Sequence, residues 1–113
     1  MGRILILEPQ PDLQELVRRV AARLGHEALT DISAQQGEVD AVVAEPESYK
    51  ALTLAQQLRD RSPELPIIFA SMAPPNERTR ALRPIVHLQK PFALQELQHA
   101  LSNAVPAGSS NAD

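Results

Sequence analysis

Four short apolar runs organise the chain: Ile4-Leu5-Ile6-Leu7, Ala41-Val42-Val43-Ala44, Ile67-Ile68-Phe69-Ala70, and Ile85-Val86-His87-Leu88, the last interrupted by a histidine. A continuous apolar run closed by turn signals reads as a strand buried on both faces, as in a parallel sheet sandwiched between helices. The first two runs end alike, in Glu8-Pro9 and Glu45-Pro46. Proline cannot donate to a ladder and biases the residue before it towards extended geometry, so each strand stops with a glutamate at its carboxyl end.

Between the runs the period lengthens. Pro11 suits the first turn of a helix, with Asp12 and Glu15 well placed against its dipole. Leu13, Leu16, Val17, Val20, Ala21 and Leu24 then share one face, and Gly25 closes it. His26-Glu27-Ala28-Leu29-Thr30-Asp31 predicts a short edge strand. Residues 32–38 are too few for the ~10–12 residues of a βαβ crossover, so a loop or single turn is expected there. Ser48 caps a helix striped by Ala51, Leu54, Ala55 and Leu58, which Ser62-Pro63-Glu64-Leu65-Pro66 breaks. Pro74 and Pro75 open a short helix over residues 76–83, stopped by Pro84. The last helix carries Leu94, Leu97, Leu101 and Val105, followed by a small, polar tail over 106–113 that is expected to be disordered.

Strands alternating with helices predict one α/β domain over residues 1–105 with helices on both faces of a parallel sheet. Right-handed crossovers leave the flavodoxin-like strand order 2-1-3-4-5 as the best fit, with ligand chemistry expected at the carboxyl ends of the strands.

Composition narrows the chemistry. The 113 residues include no cysteine, which removes disulfides, thiolate metal sites and cysteine nucleophiles. No apolar run approaches the ~20 residues that span a bilayer, so a cytoplasmic location is the expectation. A net charge of −3 with one Tyr, two Phe and no Trp argues against a nucleic-acid module. Arg18, Arg19 and Arg23 read as a solvated helix face, and His26 and His99 lack any metal-ligand spacing. Neither a glycine-rich phosphate loop nor a nucleophile elbow is present.

These residues, taken in order, resemble the receiver domain of two-component response regulators over nearly all of residues 3–105. Arg3-Ile4-Leu5-Ile6-Leu7-Glu8-Pro9 resembles the family's first strand and acidic pocket, with Glu8 as its acid. Asp40-Ala41-Val42-Val43-Ala44-Glu45 resembles the strand that delivers the phosphoacceptor, with Glu45 at the acceptor position. Ser71 falls at the hydroxyl switch and His87 at the switch aromatic. Lys90-Pro91 resembles the invariant lysine followed by a cis-proline. Departures accompany the match: Pro9 replaces a second acid, Glu45 replaces aspartate, the second helix is missing or reduced, and the segment between Ser71 and Lys90 lacks the usual Gly-Ala step.

In a working receiver of this family Mg²⁺ neutralises the phosphoryl oxygens while the acceptor carboxylate attacks. Pro9 removes one carboxylate from the metal's set. Glu45 adds a methylene, and a misplacement of about 1 Å costs about 10²-fold in rate. The resemblance therefore implies an atypical receiver, neither enzyme nor metal protein. It would act as an interaction module through the family's fourth helix, fifth strand and fifth helix, with Arg78, Arg80, Arg83 and His87 exposed for recognition. Its partner would be a histidine kinase, an output domain or another signalling protein, and the chain itself a monomer or weak homodimer. The alternatives are a conventional phosphorelay receiver with Mg²⁺ at Glu8 and Glu45, and a small flavodoxin-like ligand-binding domain. A pairing of Glu45 with Lys90 would imitate part of a phosphorylated acceptor's charge pattern. The plainer expectation is that Glu8 and Glu45 form a surface pair ending their strands.

Overall fold

The computed structural model of the protein describes residues 2–30 and 39–105. The loop or single turn expected over residues 32–38 and the tail over 106–113 lie outside the described residues.

The elements follow the hydrophobic pattern. Strand β1 (Arg3–Leu7) leads to helix α1 (Pro11–Arg23), β2 (Glu27–Leu29), β3 (Ala41–Ala44), α2 (Tyr49–Arg61), β4 (Ile67–Ser71), α3 (Glu77–Ala81), β5 (Val86–Gln89) and α4 (Leu94–Ala104). All strand pairs are parallel, in the order β2-β1-β3-β4-β5. That is the order expected from the sequence, with four helices among the described residues.

Successive side chains of a strand point to opposite faces, which divides the core into two layers. Ile4, Ile6, Val43, Ile68 and Leu88 pack against Val17, Val20 and Ala21 of α1 and Leu97, Ala100 and Leu101 of α4. Leu5, Val42, Ile67 and Phe69 pack on the other side against Ala55 and Leu58 of α2 and against Leu82. Leu94 departs from the expected stripe. It opens α4 and is 44% exposed, while Leu97 and Leu101 are fully buried.

Local chemistry fixes the helix ends. Pro11 occupies the first turn of α1, and Gly25 beyond its end takes φ +86°, a left-handed conformation that costs glycine least. Ser48 Oγ accepts from the Ala51 N–H to cap α2. Asn76 and Thr79 form a reciprocal capping box on α3. At the amino ends of the strands, the Gly2 N–H donates to buried His26 Nδ1 at 2.9 Å. A Cβ on Gly2 would lie 2.6 Å from Val105 Cγ1, so a side chain there would force Val105 to shift.

Candidate functional site

The register brings the two glutamates together. Leu7 pairs with Ala44, so the next residues, Glu8 and Glu45, leave adjacent strands side by side. The Glu45 N–H donates to Leu7 O at 3.0 Å, holding the two strand ends level. At the far edge Ser71 pairs with Gln89, and the Lys90 N–H donates to Ser71 O at 2.8 Å. The Lys90–Pro91 peptide bond is cis.

From there the lysine side chain reaches back over the end of β4. Lys90 Nζ donates to Glu45 Oε1 at 2.5 Å and to Glu8 Oε1 at 3.0 Å. The three side chains are 10%, 8% and 4% exposed for Lys90, Glu45 and Glu8. The expectation of an exposed surface pair is therefore corrected: Pro46 is itself buried beside Glu45, and both carboxylates sit under a shared ammonium.

The remaining carboxylate oxygens are also occupied. Glu8 Oε2 accepts from the Gln10 N–H at 3.1 Å, and Glu45 Oε2 accepts from the Glu47 N–H at 3.0 Å. Every carboxylate oxygen of the pair thus has a donor, which is what burial of charge demands. Burial of Lys90 pulls its pKa down, but the hydrogen bonds it donates to Glu45 and Glu8, with their charges, outweigh it and leave it above the ordinary lysine value. The ammonium is thus favoured in the folded state. Its stabilisation is fully present below the unfolded lysine pKa of about 10.4 and is lost as pH rises through the higher folded value. Urea unfolding from pH 9 to pH 12 should show stability falling over that range, and the fall should vanish in Lys90→Met.

These residues do not fit a Mg²⁺ ion. The metal asks for octahedral oxygen coordination at about 2.0–2.1 Å. Here two carboxylates are spanned by a lysine, and the position after Glu8 is a proline. Among the described residues no cluster of three or more His, Cys, Asp or Glu side chains is placed to hold a metal.

Ser71 and His87, expected at the switch positions, make no hydrogen bond to the side chains of the triad. Ser71 is buried, and its Oγ accepts from the Ala73 N–H at 3.0 Å. His87 was expected to be exposed for recognition. It is instead half-buried, with Nε2 3.0 Å from Ala73 O, Nδ1 buried without a partner, and its ring edge-on to Phe69 at 6.3 Å. Its place on β5 turns it towards the β4–α3 loop rather than to solvent. Arg78, Arg80 and Arg83 are exposed, as expected.

The sequence reading passed over Arg59, which is 7% exposed and has no carboxylate partner among the described residues. Nε donates to Leu82 O at 2.9 Å, Nη1 to Pro63 O at 2.7 Å and Ser62 O at 3.3 Å, and Nη2 to Arg83 O at 3.2 Å. These carbonyls end α2 and α3, where a cation also meets the negative ends of two helix dipoles. Burial, and then the charge of Arg83, holds the Arg59 pKa below the ordinary arginine value. Carbonyl partners leave no mark in a sequence, so only its place in the last turn of α2 hinted at this role.

No protein-family model matches the chain, and neither does any curated protein sequence. Solved structures do match. A chemotaxis protein of Vibrio cholerae, CheY4, aligns with TM-score 0.80 at 18% identity, covering 93% of this chain and 99% of that one. A response regulator from Thermotoga maritima aligns with TM-score 0.77 at 13% identity, covering 93% and 98%. HP1043, an orphan response regulator of H. pylori, aligns with TM-score 0.73 at 15% identity, covering 91% and 95%. No helix among the described residues is long and apolar enough to cross a membrane. The chain has the fold of the receiver domain of two-component response regulators.

Proposed function

We propose that the protein is an atypical receiver domain that signals by docking to a protein partner, without phosphoryl transfer. One observation carries the reading: Lys90 spans Glu8 and Glu45, and the other oxygen of each carboxylate accepts a backbone N–H. An attacking carboxylate needs a free oxygen, and an incoming phosphoryl group needs cationic charge that is not already committed. Within the triad each Glu45 oxygen already accepts a hydrogen bond and the charge of Lys90 is shared between two carboxylates, which supports the reading. In this reading the site acts as a charge cluster rather than as a phosphoacceptor.

The docking face of this reading is α3, β5 and α4, which correspond to the fourth helix, fifth strand and fifth helix of the family plan. Among the described residues β5 is an edge strand with one side unpaired, which could accept an added strand. Ile85 and Leu94 are 48% and 44% exposed on this side, beside a groove of about 540 Å³ lined by Val86, Leu88, His99 and Asn103. A histidine kinase, an output domain or another signalling protein would meet that surface.

Amide spectra of labelled protein test the reading. Acetyl phosphate with Mg²⁺, or beryllium fluoride with Mg²⁺, should leave the amides around Glu45 and Lys90 unmoved. Shifts clustered there would overturn it in favour of a conventional phosphoacceptor with Mg²⁺ at Glu8 and Glu45.

A further inference from the structure

Between the β3–α2 turn and the β4–α3 loop lies a cavity of about 290 Å³. Pro46 and Leu52 line it from the α2 side, Ala73 and Pro74 from the loop, and the His87 ring stands in its wall. Neither Glu45 nor Lys90 lines it, so it is separate from the buried triad.

Among the described residues the charged side chains lining this cavity are one of each sign. Glu47 comes from the turn and Arg78 from α3, and both are exposed. Neither side chain has an ion pair or a hydrogen bond among the described residues. Other opposite charges close on each other: Arg3 with Glu27, Arg18 and Arg19 with Glu15, Lys90 with Glu8 and Glu45. Glu47 and Arg78 share a cavity without meeting. Asn76 also lines it; its Oδ1 accepts the Thr79 N–H, which leaves the Nδ2 amide to donate to an occupant.

We propose that this cavity binds a free α-amino acid with a small aliphatic side chain. The ligand's carboxylate suits the Arg78 fork with Asn76 Nδ2 beside it, and its ammonium suits Glu47. The aliphatic side chain then has Pro46, Leu52 and Pro74 to bury against. Because the lining charges sum to zero, the site favours a dipolar molecule. A simple anion or cation would leave Glu47 or Arg78 unmatched as water is displaced. Size agrees: small-molecule sites begin at about 300 Å³, so a cavity of about 290 Å³ admits only a small ligand. An occupant would tie the β3–α2 turn to α3 and so stiffen the docking face proposed above. Only that consequence rests on the docking reading; the binding does not.

The probes are L-alanine, L-valine and L-leucine, titrated separately into the labelled chain. Isobutylamine and isovalerate serve as controls, since each keeps the side chain of valine and one of its two charges. At least one of the amino acids should shift the amides of Ala73, Asn76 and Arg78 and raise the unfolding midpoint as its concentration increases. Each control should bind at least about tenfold more weakly than valine, having lost one charge-assisted contact. Arg78→Gln and Glu47→Gln should each weaken amino-acid binding by about the same factor. The ligand-free midpoint should not move in either variant, because both side chains are exposed.

Any of three results would overturn the proposal: no shift with any of the amino acids at millimolar concentration, equal binding of isobutylamine or isovalerate, or an affinity untouched by Arg78→Gln and Glu47→Gln. Binding is read at Ala73, Asn76 and Arg78, and phosphodonor chemistry at Glu45 and Lys90. Failure here therefore leaves the phosphodonor experiment, and the reading it tests, standing on their own result.

Discussion

Lys90→Met should lower the free energy of unfolding by about 3–5 kcal/mol, the usual cost of removing one partner from a buried ion pair. The variant keeps the lysine's aliphatic stem and deletes the ammonium, with its charge and its two hydrogen bonds. Glu8 and Glu45 would then face each other as buried anions, each with a single backbone donor left. Urea unfolding of the wild type and variant measures the loss. Adding Glu8→Gln and Glu45→Gln to Lys90→Met should recover much of it, because no charge then remains to be stranded. A loss below about 1 kcal/mol, typical of solvated pairs, would mean that water reaches the triad and that the buried geometry is not maintained.

Arg59→Met should cost about 3 kcal/mol, for a different reason. No carboxylate is stranded, but the carbonyls of Leu82, Arg83, Ser62 and Pro63 lose their donor together. Because these groups end α2 and α3, the damage should be local as well as global. Hydrogen exchange should accelerate at Leu82, Arg83 and the amides of α3 while the β1 and β3 amides keep most of their protection. Arg59→Lys should rescue little, since an ammonium is a point charge and cannot fork to carbonyls on two helices. Uniform acceleration across the sheet would show instead that Arg59 matters only to overall stability.

The two variants mark what could be read from the residues and what could not. Strand and helix positions were legible because continuous apolar runs and the 3.6-residue stripe are written directly in residue type. The match of order and spacing to a known family brought Glu8, Glu45 and Lys90 to one end of the sheet and offered a Glu45–Lys90 pairing, but the bond from Lys90 to Glu8 was not foreseen. Their burial was not legible either. Whether a strand-end carboxylate is wet depends on what covers it, here the lysine reaching over β4, which has no periodic signature. His87 was misplaced for the same reason: a strand residue beside an edge reads as exposed unless the β4–α3 loop that folds over it is known. Leu94 erred in the opposite sense. It continues an apolar stripe, yet as the first residue of α4 it is left 44% exposed.

The separation of the triad along the chain has a kinetic consequence. Lys90 lies 82 residues from Glu8 and 45 from Glu45, and it bonds across strands that must already be aligned. Its contacts close the longest loops in the site, and loop closure of that kind comes late because its entropy must be met before the contact returns anything. Stabilisation gained after the rate-limiting step appears almost wholly in the unfolding rate. The charge cluster therefore works as a latch on the finished sheet rather than as a guide to its assembly. A chain without it would fold at nearly its usual pace and come apart sooner.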